Sequence, residues 1–135
     1  IAKNLFLDRI RTNMRLIGKT ERAHGIVDET NFVLPALTQP MLGKDDKVPI
    51  RAYRVTFGEG GRTYWHSHSD TQILFGLSGQ CLVRNRAGDE VHLHPGDMVI
   101  IEGGEEHWHG ASPGTDGEHL AINLGSHTEW LESSG

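Results

Sequence analysis

Residues 60–79 read GGRTYWHSHSDTQILFGLSG. The Gly60-Gly61 turn leads to His66-Ser67-His68, and an apolar run over 71–77 closes on Ser78-Gly79. On a strand, residues i and i+2 point the same way, so His66 and His68 present two imidazoles to one face. Gln72 lies four residues beyond His68. If the strand continues, that even offset returns it to the same face, where its amide oxygen can ligate a metal. A second segment, 96–107, has a buried strand over 98–101 running into a tight turn at Gly103-Gly104, which delivers His107 inward. His109, two residues further on, shares that inward face.

Outward from these segments the period is also two. In 50–57, Tyr53, Val55 and Phe57 share one face and Arg54 and Thr56 the other. Short apolar runs follow at 80–83, 90–93, 98–101 and 120–124, separated by turns such as Ala87-Gly88-Asp89, Pro95-Gly96 and Pro113-Gly114. Many short strands punctuated by glycine turns predict an all-β sandwich or barrel over 50–125. Residues 20–49 carry turn signals, Pro35 and Pro40 among them, and read as a surface segment with a short strand at 32–34. In 1–22, Phe6, Ile10, Met14 and Ile17 recur at helical spacing and predict a short N-terminal helical arm.

The 135 residues fit one domain, 1–135. The single Cys81 excludes an internal disulfide, and in a strand it reads as a small apolar core residue. There is no 18-residue apolar window and no signal-peptide layout, so the expectation is a cytoplasmic protein with no membrane partner. The formal charge of −5 is uneven. Residues 1–22 hold six basic residues against two acidic (+4), and the remainder seven against sixteen (−9). The acidic balance disfavours nucleic acid. The basic arm is expected to pack on the protein's own acidic body or on a second subunit, and a homodimer is expected.

Nine histidines are many for this length. His92 and His94 alternate with Val91 and Leu93, which take the core face and leave both His in solvent. His24 and His127 stand alone and read as exposed. His119, Ala121 and Asn123 alternate with Leu120, Ile122 and Leu124. Either this polar face lines an interior that binds something polar, or it faces solvent. Trp65, Trp108 and Phe75 read as core or cavity wall. Tyr53, Val55 and Phe57 read as the wall of an apolar substrate pocket, with Asn123 beside them.

Gly60, His66, His68, Gln72 and Gly79, followed by Gly96, Glu102, Gly104, His107 and Ala111, resemble the two-motif signature of the cupin superfamily. The resemblance covers about half the chain. It implies a cupin jelly-roll barrel with His66, His68, Gln72 and His107 as ligands of an interior metal. Gln72 stands where Glu is usual, Glu102 where Pro is, and Ala111 where Asn is. Three imidazoles and an amide leave a divalent charge uncompensated and favour an anionic ligand. Mn(II) and Fe(II) lead, with Zn(II), Ni(II) and Cu(II) as alternatives.

The stretches around Trp65–His68, Gln72–Leu74, His107–Ala111 and His119–Asn123 are similar to small bacterial Mn-dependent cupins with hydroxynitrile lyase activity. That likeness implies C–C cleavage of a small molecule, with His109 and His119 as the substrate-facing, proton-handling residues. Asn123 stands where Gln is common in that group. A non-haem metal dioxygenase and a non-catalytic metal- or small-molecule-binding cupin are the alternatives.

Overall fold

The structure, a computed structural model, describes residues 13–135. Its strands are β1 (Ile26–Asp28), β2 (Phe32–Val33), β3 (Ala36–Leu42), β4 (Arg51–Phe57), β5 (Arg62–Thr63), β6 (His66–His68) and β7 (Gln72–Gly79). They continue as β8 (Cys81–Asn85), β9 (Glu90–Leu93), β10 (Met98–Ile101), β11 (His107–Ala111), β12 (Gly117–Asn123) and β13 (Thr128–Trp130). One sheet has the order β1-β3-β4-β12-β7-β10. The other runs β13-β6-β11-β5-β2, with β8 paired to β11 and β9 to β8. All pairings are antiparallel. The expected all-β two-sheet architecture is what forms. No helix among the described residues is long and apolar enough to cross a membrane.

Alternation decides what each strand turns inward. On β4 the buried Val55 and Phe57 share a face, and on β12 Gly117, His119, Ala121 and Asn123 do. The two strands pair with His119 opposite Val55 and Ala121 opposite Tyr53, so these inward faces form one surface. Two apolar clusters fill the interior. Leu74, Cys81, Val83, Leu93, Ile101 and Ala121 form one; Ala36, Val55, Phe57 and Ala111 form the other. Cys81 packs as a small apolar residue, and burial pushes its thiol up to about 12.

Two expectations need correction. The segment 20–49 is more than a wrapping loop, because β3 pairs with β4 along its length and β1 adds to β3. Pro40 sits within β3, where the register shifts between Pro40 and Leu42, and such an irregularity accommodates a residue without an N–H. The helical arm lies largely outside the described residues. Its described part, 13–22, is coil closed by a turn from the Glu21 N–H to the Gly18 carbonyl (2.9 Å). Met14 and Leu16 there are 81% and 73% exposed.

Candidate metal centre

Five histidines converge inside the barrel: His66 and His68 from β6, His107 and His109 from β11, and His119 from β12. All five are buried. Pairing of His107 with His66 brings the two His-x-His strands together. Ring centroids lie 4.4 Å apart for His66 and His107, 5.0 Å for His66 and His68, and 5.1 Å for His66 and His109. The turn after β10 is tied to β6 by the Gly104 N–H on the His68 carbonyl (2.9 Å). Gly104 takes φ +83°, which favours glycine.

Each proposed ligand ring is oriented from outside. His66 Nδ1 donates to the Tyr64 carbonyl (2.9 Å), and His107 Nδ1 to the Glu105 carbonyl (2.8 Å). His68 Nδ1 meets Thr128 Oγ1 (3.0 Å). A carbonyl acceptor fixes the proton on Nδ1 and leaves Nε2 as a bare donor of electrons, the outer-shell arrangement of metal-binding histidines. Burial, reinforced by neighbouring histidines, holds His66 well below its usual pKa and lowers His68 to about 4. Burial also lowers His107. The rings are therefore neutral at pH 7, as ligation requires.

Two features of this set call for a cation. His68 Nε2 is buried with no hydrogen bond. Gln72 Nε2 donates to Asn123 Oδ1 (2.9 Å), which turns Gln72 Oε1 onto His107 Nε2 at 3.0 Å. With His107 protonated on Nδ1, two acceptors face each other. A cation bound to both relieves that contact, and about 3 Å separates adjacent ligands of an octahedral ion with bonds of about 2.1 Å. The residues present fit a divalent metal.

Among the described residues, the histidines whose ligand atoms all lie within 4.8 Å of one another are His66, His107 and His109, a group that includes His109 and leaves out the expected ligand His68. His109 thus stands as close to the centre as the proposed ligands. His109 Nδ1 is 2.9 Å from His119 Nε2, and His119 Nδ1 is buried without a partner. Burial holds His109 well below its usual pKa and lowers His119 to about 4.

A cavity of about 360 Å³ opens beside this cluster, lined in part by His66, His68, Gln72, His109, Tyr53 and Val55, with Asn123 also on its wall. Phe57 is not on it. Its fully buried ring packs against those of His109 (6.1 Å) and His119 (5.5 Å), behind the histidine pair. His119 also lies behind His109, off the cavity wall. Trp65 and Trp108 are neither core nor cavity wall. They alternate with the inward histidines and lie outside, under the guanidiniums of Arg86 (4.0 Å) and Arg62 (5.4 Å). Phe75 faces away from the cavity, one residue out of phase with the buried Leu74. His92, His94, His24 and His127 are exposed.

Sequence reasoning missed Arg51, Thr63, Thr128 and Trp130, all on the cavity wall. Arg51 was legible, since it shares the odd-numbered face of β4 with Tyr53 and Val55. Thr128 and Trp130 come from β13, a three-residue strand with no apolar run to mark it.

A two-sheet barrel holding a buried histidine cluster against a small cavity defines a class of small metal-binding β-barrel domains. Comparison with known proteins specifies it further. A family model, Cupin_2 (cupin domain), matches residues 53–123. The (R)-mandelonitrile lyase of Granulicella tundricola is 38% identical over 96 residues, covering 69% of this chain and 73% of that protein. A cupin-like protein from Thermotoga maritima is 31% identical with a TM-score of 0.77, covering 84% of this chain and 89% of that one. The polyketide cyclase RemF from Streptomyces resistomycificus shares the fold at 18% identity and a TM-score of 0.71, covering 90% and 87%. The chain belongs to the cupin superfamily, and its strands form the cupin jelly roll.

Proposed function

We propose that this cupin is a metal-dependent lyase that cleaves the C–C bond of a small hydroxynitrile, with His66, His68, Gln72 and His107 holding Mn(II) or Fe(II). The observation that carries the reading is the hydrogen-bonded, fully buried His109–His119 pair, set against the cavity beside the ligand cluster. The likeness to a mandelonitrile lyase supports it. A divalent ion held there supplies a Lewis acid that makes a substrate hydroxyl more acidic.

His109 is the residue of the pair that lines the cavity, so it takes the hydroxyl proton. To accept at Nε2 it must carry a proton on Nδ1 and donate it to His119 Nε2. His119 fixes that tautomer and acts through His109. As the O–H bond breaks, the carbonyl forms and the electron pair of the C–C bond leaves with cyanide. Cyanide then takes the proton back from His109, giving an aldehyde and hydrogen cyanide. Tyr53 and Val55 flank the substrate, and Asn123 holds Gln72 in place.

The test is release of cyanide from mandelonitrile by Mn(II)-loaded protein, with dissolved O₂ monitored. Cleavage without O₂ uptake is expected. His109→Ala should lower the rate at least about a hundredfold while metal content stays within about twofold. Substrate-linked O₂ consumption would establish a dioxygenase instead, and an inert loaded protein a binding cupin.

We also propose that the protein is a homodimer. The outer face of the first sheet carries a cross-strand apolar row, Leu42-Ala52-Ile122-Ile73-Ile100, with Leu120-Phe75-Met98 beside it. Met98 and Ile100 are 58% and 66% exposed. Strands apolar on both faces are those that become covered on both. Exposed apolar residues gathered on one sheet face mark an interaction surface. That suits the apolar centre of an interface hiding about 800 Å² per partner within a polar rim. A second copy supplies the same face.

A further inference from the structure

Arg51 opens β4 on its inward face, opposite Asn123, and lines the cavity beside His68 and Gln72. Three other arginines sit on carboxylates, Arg54 on Glu118, Arg84 on Glu90, and Arg86 on Glu106 and Glu132, whereas Arg62, like Arg51, donates to a backbone carbonyl but lies outside this cavity. Among the described residues no carboxylate pairs with Arg51. Its Nη2 donates to the Gly125 carbonyl, which holds the guanidinium in place without neutralising it. Asp28 is the acidic residue on the cavity wall, and its Oδ1 accepts the Thr30 N–H (2.9 Å) instead.

Apart from Arg51 and Asp28, the cavity wall holds no lysine, arginine or acidic side chain. Gln72, Asn123, Ser126 and Thr128 supply its neutral polar groups. A half-buried cation without a counter-ion is costly, and an anionic ligand removes that cost. The planar fork of a guanidinium matches a carboxylate. The neutral ligand set leaves the charge of a bound divalent ion uncompensated, which draws an anion to the same place. Phe32, Tyr53 and Trp130 give the cavity an aromatic wall. Its 360 Å³ is near the lower end of small-molecule pockets, roughly 300–1,000 Å³.

We propose that the cavity takes a small aromatic carboxylate, with the anionic end held by Arg51 and the ring against Phe32, Tyr53 and Trp130. The inference rests on reading this cavity as the ligand-binding site, and it adds to that site a position for a carboxylate.

Mandelate and mandelamide share ring, hydroxyl and size and differ in charge, which makes them the probes. Each is titrated into the protein as purified and after Zn(II) loading, with backbone amide shifts followed by NMR. Mandelate is expected to bind at least about tenfold more tightly than mandelamide in both preparations. Arg51→Gln should abolish that preference while mandelamide binding changes less than about twofold, and Arg51→Lys, which keeps the charge, should retain part of it. Equal binding of the two probes by the unaltered protein would overturn the proposal, and that comparison needs no variant to fold. So would an Arg51→Gln protein that keeps its preference. Cyanide release from mandelonitrile without a mandelate preference would leave the lyase reading standing and remove this one. Arg51-dependent mandelate binding with no cyanide release would do the reverse.

Discussion

Asn123 decides which end of the Gln72 amide faces the ligand cluster. Its Oδ1 takes the Gln72 N–H, so Gln72 Oε1 meets His107. Reversing both amides would aim a donor at His107 and remove the fourth ligand. Asn123→Leu should therefore weaken metal binding about tenfold or more by calorimetric titration, whereas Asn123→Asp, which can only accept, should stay near the parent value. The ligand assignment has its own check. His107→Ala should lose most bound metal by elemental analysis, and His92→Ala, at an exposed position, should lose none. Equal metal content in the two variants would refute the assignment. Residue types and parity made the inward positions of His66, His68, Gln72, His107 and His109 legible. Parity alone did not say that His119 stands behind His109, because both side chains point inward and only packing orders them in depth.

At the scale of the elements, β12 carries a second polar cluster on its outward face. Glu118 accepts from Arg54 Nε (2.9 Å) and Nη2 (3.0 Å), from Thr56 Oγ1 (2.9 Å) and from Ser78 Oγ (3.3 Å), binding β4, β12 and β7 together. The Arg54 bonds hold the Glu118 carboxyl below its usual pKa, against a smaller opposing effect of burial. A depressed carboxyl pKa contributes stability that is present above the unfolded value and is lost as pH falls through the folded one. The contribution should fade below about pH 4.5, and with Arg54 half exposed it amounts to about 1 kcal/mol or less. Glu118→Gln should thus lower the thermal midpoint slightly at pH 7 and leave the two proteins alike near pH 3. The strands with alternating or continuous apolar runs were legible in the sequence. β3 was hidden because Pro35 and Pro40 read as turn signals, and β13 because three residues carry no period.

For the molecule as a whole, the outer apolar rows of the first sheet make assembly a measurable consequence. Ile100→Lys, at the most exposed point of the longer row, should convert a dimer to a monomer in light scattering while leaving the interior ligands in place. A parent protein that is already monomeric would remove the dimer. Metal removal should lower the thermal midpoint, since an ion that binds the folded chain stabilises it by mass action. By itself the sequence determined the all-β class, the His-x-His strands β6 and β11 and the inward parity of the proposed ligands. These follow from a period of two, and that period is a local property. The tertiary structure alone decided that Phe57 and His119 lie behind His109, that Trp65 and Trp108 face outward under arginines, and that Arg51 meets the cavity with no carboxylate partner among the described residues. Each of those depends on which distant strand lies alongside, and no local pattern encodes that.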